Sequence, residues 1–535
     1  MKKGCIQNKV IIKAPAVFVV FLIFPVLFTL TGCRDKGGQV SEADPVKSRD
    51  EMLSDIESTL LGYNEEQEPE PEESVPELSV VLNNTGYEQK SDKELVLIVS
   101  VSGEDIQNEE ASFSVFDKKS PDYPVFSGDL HVIDGISFSS GHAPEAGKET
   151  HPDDDETENY ESVKYFCGDF SGFFKEGEYF ITCYYGDCSC ESNSFKIEKN
   201  HYRTLIAMQS LLASKEESPY DFMRIADLLL EYEFFDKELT GEGQENFVPV
   251  SLDTARILTE KLCEYVDNAK ESGEEAISGS ADNYRLAAIL SKLSACYSGT
   301  DWEASKGWKK RAVALFKTAE GEYREELAAK EEEQSLKEST DRGPEDQAAD
   351  SSEDISDISE DENHFGEEEL YISRSARYWA AAELYDLTGE KGYRRIAEEE
   401  ASEEIPSGFS DRMTGDLGSI AYLTCGKKTD RALSDRLMES IYKRAVEASE
   451  IKAEERLSAY DEEETKAYIQ KELETARLCM FANLASQSTQ FVKRTEKAVD
   501  YLYGLNPEGK AFAQENKDMP VFFVLSGLAN SYIAQ

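Results

Sequence analysis

The pattern of hydrophobic positions changes character once along the chain, near residue 200. Between residues 79 and 197 apolar and polar residues alternate, as at Leu95, Leu97 and Val99, and turn residues separate the alternating runs. A period of two is typical of strands with one buried face. About seven such runs within one segment of this length predict a β-sandwich.

From His201 onward the period becomes that of a helix. Ile225, Leu228, Leu229 and Tyr232 recur at i, i+3, i+4 and i+7, which places them on one face. About twelve segments of this kind favour six helical hairpins closed into an (α/α)6 toroid. They include 219–239, 251–271, 281–297, 304–327, 369–388, 430–450, 464–487, 490–503 and 519–533.

The first 33 residues read as an export signal. Four lysines lie within the first 13 residues, and an apolar run from Ala16 to Leu30 follows them. The run is short for a membrane span, and it ends in Leu30-Thr31-Gly32-Cys33, the order of a bacterial lipobox. We therefore expect lipidation at Cys33 and an extracytoplasmic lipoprotein that is held at the membrane by its lipid anchor.

The rest of the chain consists of segments that differ in composition. Residues 34–78 are acidic and polar, which predicts a disordered linker, and 79–198 form the predicted sandwich. The helical domain covers 199–535. Within it, 330–369 holds 17 acidic and 3 basic residues, so we predict a disordered insertion there. The expected architecture is thus multidomain β plus α.

Charge and composition exclude several functions. Lys and Arg number 57 and Asp and Glu 108, a net charge of −51. Such a chain repels phosphate backbones and anionic lipid headgroups, so no nucleic-acid partner is expected. The 5 histidines are not paired with cysteine or carboxylate at ligand spacing. We predict no metal and no cofactor.

The cysteines of the β region suggest a covalent bond. Cys183 and Cys190 flank a predicted turn at Tyr185-Gly186-Asp187, so they are placed to face each other across a hairpin. In an extracytoplasmic protein such a pair could form a disulfide. Cys188 and Cys190 are too close together for a zinc knuckle.

Two stretches of the helical region have a distinctive order of residues. One is Trp379-Ala380-Ala381-Ala382-Glu383-Leu384-Tyr385, followed by Thr388-Gly389, and the other is Gly504-Leu505-Asn506-Pro507. They resemble the mid-barrel segment and the Gly-x-Asn-Pro motif of glycoside hydrolase family 9, the endoglucanases that carry an N-terminal immunoglobulin-like domain. Further similar stretches are 84–87, 169–179, 228–236 and 248–256. The resemblance covers roughly residues 80–533 and implies an immunoglobulin-like sandwich followed by the toroid.

The resemblance also implies where chemistry should lie. In the family, an Asp-Ala-Gly-Asp loop supplies the base and a Glu near the last helix supplies the acid of an inverting hydrolysis. Here no Asp-x-x-Asp occurs between 201 and 240, and only the short 214–219 connection stands in that place. The remaining candidates are Asp221 as the base and Glu515 or Asp518 as the acid. The other interpretation of Asp221 is a carboxylate at a helix start, where the helix dipole favours it. We expect Asp227 to be a solvated helix residue.

Sugar rings stack on flat aromatic faces, and the chain has only 3 tryptophans. Of these, Trp379 is the candidate for sugar stacking in the barrel.

The favoured hypothesis is a cell-surface lipoprotein that resembles a cellulase acting on β-1,4-glucan but lacks the catalytic Asp loop. It would bind a polysaccharide or a cell-surface protein as a pseudoenzyme. One alternative is an active inverting endoglucanase that uses relocated carboxylates such as Asp221 and Glu515. Another is a helical-repeat scaffold of the tetratricopeptide type, although no 34-residue period recurs.

Overall fold

The computed structural model describes residues 75–102, 110–133, 161–213, 221–236, 249–272, 279–340, 361–402, 404–450, 457, 462–516 and 519–533. The predicted signal, Cys33, the linker up to residue 74, the 214–219 connection and Asp518 lie outside these residues.

The N-terminal region is a sandwich of two sheets, with strand orders β1-β3-β7-β6 and β2-β10-β8-β4-β5, and with β9 added to β8. Pairing is antiparallel throughout these sheets except between β10 and β2. The strands are β1 (Glu77–Leu82), β2 (Tyr87–Glu88), β3 (Glu94–Ser102), β4 (Ala111–Asp117), β5 (Ser120–Asp129), β6 (His131–Val132), β7 (Glu161–Asp169), β8 (Gly177–Tyr185), β9 (Cys188–Glu191) and β10 (Phe195–Glu198).

Strand β3 shows why this sequence folds as a sandwich. Leu95, Leu97 and Val99 alternate along it and are buried in the core between the sheets. Val96 points the opposite way, and it is buried in a second cluster that includes Leu505 of the helical region. A strand that buries both faces reads as a nearly continuous apolar run, as β3 does.

The helical region begins directly after β10. The helices are α1 (His201–Ala213), α2 (Phe222–Glu231), α3 (Val250–Ser272), α4 (Gly279–Tyr297), α5 (Trp302–Thr340), α6 (Asp361–Thr388), α7 (Lys391–Glu400), α8 (Gly415–Thr424), α9 (Arg431–Ser449), α10 (Glu462–Ser486), α11 (Thr489–Leu502), α12 (Phe512–Glu515) and α13 (Phe522–Ile533). A π-helical turn, Tyr232–Asp236, extends α2.

Burial separates inner from outer helices. On α9 only Leu433, Leu437, Ile441 and Ala445 are buried, a single stripe that identifies an outer helix. On α8, by contrast, every residue from Gly415 to Tyr422 is buried. Helices α2, α4, α6, α8, α10 and α13 form the inner ring, and the others, apart from the short α12, surround it. The region is therefore an (α/α)6 toroid, and the open helical-repeat alternative is wrong.

The predicted insertion differs from the structure at both ends. Helix α5 continues to Thr340 and α6 begins at Asp361, so residues 330–340 and 361–369 are helical. Residues 341–360 lie outside the described part of the chain.

Sandwich and toroid meet through two of the stretches that carried the family resemblance. The backbone N–H of Asn84 donates to the carbonyl of Tyr503 over 2.9 Å. The Asn83 amide donates to Asp500 Oδ1 over 2.8 Å, in a buried position. Gly504 has φ +128°, and a Cβ there would lie 2.8 Å from the Leu82 carbonyl oxygen. The Gly504-Leu505-Asn506-Pro507 pattern thus begins at the joint between the sandwich and the toroid, where a glycine permits the close approach of the two backbones.

Candidate functional site at the mouth of the toroid

Several inner helices begin at the same end of the toroid, which we call the mouth. The loop before α8 connects them there. The N–H of Met223 on α2 donates to Asp411 Oδ1 over 3.0 Å, and Arg285 on α4 donates to the carbonyl of Arg412 over 2.8 Å. Arg477 on α10 donates to the carbonyls of Phe409 and Pro520, both over 2.8 Å. The starts of α2, α4, α8 and α13 are therefore neighbours.

Two carboxylates share the start of α2. Asp221 is the N-cap, and its Oδ1 accepts from the Arg224 N–H over 2.7 Å. Asp411 accepts from the adjacent Met223 N–H, so both carboxylates occupy the positive end of this helix. Burial and the nearby Asp411 carboxylate raise the pKa of Asp221 to about 7. Near neutral pH, Asp221 is therefore able both to hold and to release a proton.

Below this pair, Asp227 corrects one expectation from the sequence. It is 0% exposed, and its Oδ1 lies 3.6 Å from Nε of the equally buried Arg477. Its Oδ2 accepts from the N–H of Phe523 over 3.2 Å. Asp227 is not solvated; it ties α2 to α10 and α13, and it faces inward although it lies off the apolar stripe.

A cavity of about 650 Å³ opens at the mouth between α4, α5 and α6, with Arg285 and Arg412 in its lining. Neither Asp221 nor Asp411 lines it. Its polar lining is held in fixed contacts: Glu326 accepts from the N–H and the hydroxyl of Ser280 at the start of α4, over 3.0 and 2.8 Å. Arg285 donates to Asp282 over 2.5 Å. Leu370 and Ile372 add apolar surface. Polar groups in fixed positions beside apolar patches, in a volume of this size, are typical of small-molecule sites.

The other predicted site residues lie elsewhere. Glu515 ends the short helix α12 and is exposed, and no hydrogen bond or ion pair links it to Asp221 in the described part of the chain. Trp379 does face the toroid interior, but it is 3% exposed and donates to Glu383 over 3.4 Å. Because the indole is enclosed, Trp379 offers no surface on which a sugar could stack.

Cys183 and Cys190 are directly opposite each other in the β8–β9 register, as the predicted hairpin requires. Both are free thiols in this structure rather than a disulfide. Burial raises the pKa of the Cys190 thiol to about 11.

Sequence reasoning missed Asp411, Arg285 and Arg477. The signal for Asp411 was its place in a Pro- and Gly-containing loop just ahead of an inner helix, since such loops meet at one end of a toroid of hairpins. Arg285 and Arg477 lie inside helices and gave no comparable signal. Among the described residues, no cluster of three or more potential metal ligands occurs.

Comparison with known proteins bears on the family resemblance. Residues 264–521 match the model of glycosyl hydrolase family 9. The resemblance to glycoside hydrolase family 9 is confirmed. No curated protein sequence matches the chain. None of the helices in the described ranges is long and apolar enough to cross a membrane.

Solved structures of the family have the same fold. A metagenome-derived family 9 endoglucanase is similar with a TM-score of 0.55 and 16% identity, over 81% of this chain and 85% of that one. A single-mutant thermostable endoglucanase from Alicyclobacillus acidocaldarius is similar with a TM-score of 0.51 and 14% identity, over 81% and 83%. At these identities the similarity shows the fold alone, namely a β domain followed by the helical toroid.

Proposed function

We propose that this family 9 relative binds a β-1,4-linked glucan chain at the mouth of its toroid without cleaving it. The observation that carries the proposal is the cavity of about 650 Å³ at the mouth, which Arg285 and Arg412 help to line. Its lining carries both signs of charge, and Glu326 and Arg285 are held by hydrogen bonds to their neighbours, so these two side chains need little ordering when a ligand binds. The cellulase-like fold supports a glucan as the ligand class.

The placement of the carboxylates supports binding without turnover. Inverting hydrolysis needs an ionised base and a protonated acid about 6.5–9.5 Å apart, on opposite sides of the bond. Asp221 and Asp411 instead cap neighbouring amides of one helix, and the pKa of Asp221 is raised to about 7. A partly protonated Asp221 is a poor match for a base that must be ionised.

A second candidate rests on Asp221. A carboxyl group with a pKa of about 7 can exchange a proton with a substrate. An active endoglucanase-type hydrolase with Asp221 as the base and Glu515 as the acid is therefore the alternative.

One experiment separates the two. The purified ectodomain, residues 34–535, is incubated with soluble β-glucan, and reducing ends are measured beside affinity electrophoresis in the same polymer. We expect retardation without sugar release, and retardation weakened about 3- to 10-fold in Arg412→Gln, which alters the cavity rim. The exposed variant Asp267→Asn is the control. Sugar release that Asp221→Asn or Glu515→Gln abolishes would establish the hydrolase, and an absence of retardation would refute glucan binding.

We also propose that Cys33 carries a lipid anchor outside the cytoplasmic membrane, on the strength of the lipobox at residues 30–33. Expression with labelled palmitate in a bacterial host should label the chain, and Cys33→Ser should remain unlabelled. Labelling of Cys33→Ser equal to that of the parent chain would contradict the anchor.

A further inference from the structure

A second cavity, of about 530 Å³, lies where the sandwich meets the other end of α13. Strand β2, the start of α1 and the last turn of α13 form its walls. Helix α13 begins at the mouth and spans 12 residues, so this cavity lies about 18 Å further along the helix axis. It is not part of the proposed glucan site.

The charge of this cavity is opposite to that of the chain. Lys90, Lys199 and Arg203 line it, in a protein whose net charge is −51. All three are exposed, and none of them forms an ion pair with another described residue. Elsewhere in the toroid, cations such as Arg374 and Arg377 share the carboxylate of Glu400.

The single carboxylate in the lining does not neutralise these cations. Glu88 is 4% exposed, and its Oε2 accepts from the N–H of His201 over 2.8 Å. Glu88 therefore caps the start of α1. With three cations and one carboxylate the cavity carries a charge of +2 even when Glu88 is ionised.

One wall of the cavity is aromatic and apolar. Ala529, Tyr532 and Ile533 line the cavity, and the Tyr532 ring is held by stacking on Tyr202 at 6.0 Å between centroids. An aromatic and apolar wall suits the C–H face of a sugar ring. Lysine and arginine suit a carboxylate, which arginine can bind through two parallel hydrogen bonds.

We propose that this cavity binds a short acidic oligosaccharide, with a uronate carboxylate at Lys199 and Arg203 and its ring against Tyr532. A short ligand fits better than a long polyanion, because the chain as a whole carries a net charge of −51 while the three cations act only within a Debye length of about 8 Å. The amide of Asn200 adds a neutral hydrogen-bonding group at the same rim.

Titration calorimetry of the ectodomain with trigalacturonate at low salt tests this proposal. We expect Lys199→Gln with Arg203→Gln to weaken binding about 10-fold or more. The matched control is Lys309→Gln with Lys310→Gln on the exposed face of α5, which should change affinity less than about 2-fold. Neutral cellotriose of the same length should not compete, and Arg412→Gln at the mouth should leave the affinity unchanged.

Four results would overturn the proposal. They are an absence of binding, equal affinity of the Lys199/Arg203 variant and its control, displacement by inorganic phosphate at the same concentration as the sugar, and loss of binding in Arg412→Gln. The last would place the uronate at the mouth. Since the glucan test uses a neutral polymer, failure of either proposal is recognisable separately.

Discussion

The toroid contains two kinds of charge pair, one buried in its interior and one at its mouth, and they are balanced differently. In the interior, Arg494 meets Glu472 through two hydrogen bonds of 2.8 and 2.6 Å, and Arg477 lies beside Asp227. At the mouth, Asp221 lies beside a second carboxylate, that of Asp411. Interior charges are compensated, so they contribute to holding the helices together, whereas burial and the Asp411 carboxylate raise the pKa of Asp221.

The largest expected effect comes from breaking an interior pair. Glu472→Gln removes the charge that Arg494 needs while keeping the shape of the side chain, and both groups are at most 3% exposed. An unpaired buried guanidinium should lower the free energy of unfolding by about 3–5 kcal/mol, measured by urea denaturation. The double variant Glu472→Met with Arg494→Met should recover most of the lost free energy of unfolding. A loss below about 1 kcal/mol for Glu472→Gln would show that the pairing of charges in the interior is not what stabilises the toroid.

At the mouth, removing the charge of Asp221 should raise the free energy of unfolding near neutral pH rather than lower it. The pKa of Asp221 is raised from 3.8 to about 7, so the folded protein binds this proton more tightly than the unfolded chain. The stabilisation that this tighter proton binding contributes is complete below about pH 4, and it is lost as the pH rises through 7. Asp221→Asn keeps the N-cap.

The measurement is urea unfolding of both proteins between pH 4 and 8. Between these limits the parent chain should lose about 1–2 kcal/mol more than Asp221→Asn, after allowance for solvent screening. The contributions of the other buried carboxyl groups are the same in both proteins, so they cancel when the two stability changes are subtracted. Parallel stability curves for the two proteins would mean that Asp221 titrates normally.

A third prediction concerns the cause of that shift. Asp411→Asn keeps an oxygen for the Met223 N–H but removes the neighbouring negative charge. The pKa of Asp221 should then fall by about 1 unit, because like charges disfavour ionisation. The midpoint of the pH-dependent stability difference, measured against Asp221→Asn in the same background, should move to lower pH. An unchanged midpoint would leave burial as the whole cause.

The smallest effect is expected at an exposed pair of the same geometry. Arg311 donates to both oxygens of Asp267 over 2.8 Å, yet the Asp267 side chain is 59% exposed. Asp267→Asn should cost less than about 1 kcal/mol in urea unfolding, and the cost should vanish at high salt. A loss as large as that of Glu472→Gln would show that geometry, rather than burial, sets the strength of these pairs.

Much of the fold could be predicted because periodicity reports directly on burial. The alternation at Leu95, Leu97 and Val99 marks a strand, and most helix bounds lie within a few residues of the predicted segments. Helix α8 was missed because it is buried on all sides, and a helix without a polar face has no amphipathic period. The predicted disorder at 330–340 failed because acidic residues also form good solvated helices.

The candidate site was predictable only in part. Asp221 was recognisable, since a carboxylate ahead of an apolar helical face marks an N-cap. Its partner Asp411 follows it by 190 positions, and nothing local in the sequence relates the two. The predictions for Trp379 and Asp227 were wrong because both residues are buried on inner helices. The spacing of apolar residues shows which side of a helix is apolar, but it does not show that an inner helix of a toroid is enclosed on every side.

The sequence by itself determined the order of a β region and a helical region, their approximate bounds and the position of one helix-capping carboxylate. These follow from local rules of spacing and burial. Only the tertiary structure decided which charges are compensated, which carboxylates meet at the mouth and where three cations gather on an acidic chain. Those outcomes depend on distances between residues far apart in the chain, which closure of the toroid and its docking to the sandwich set.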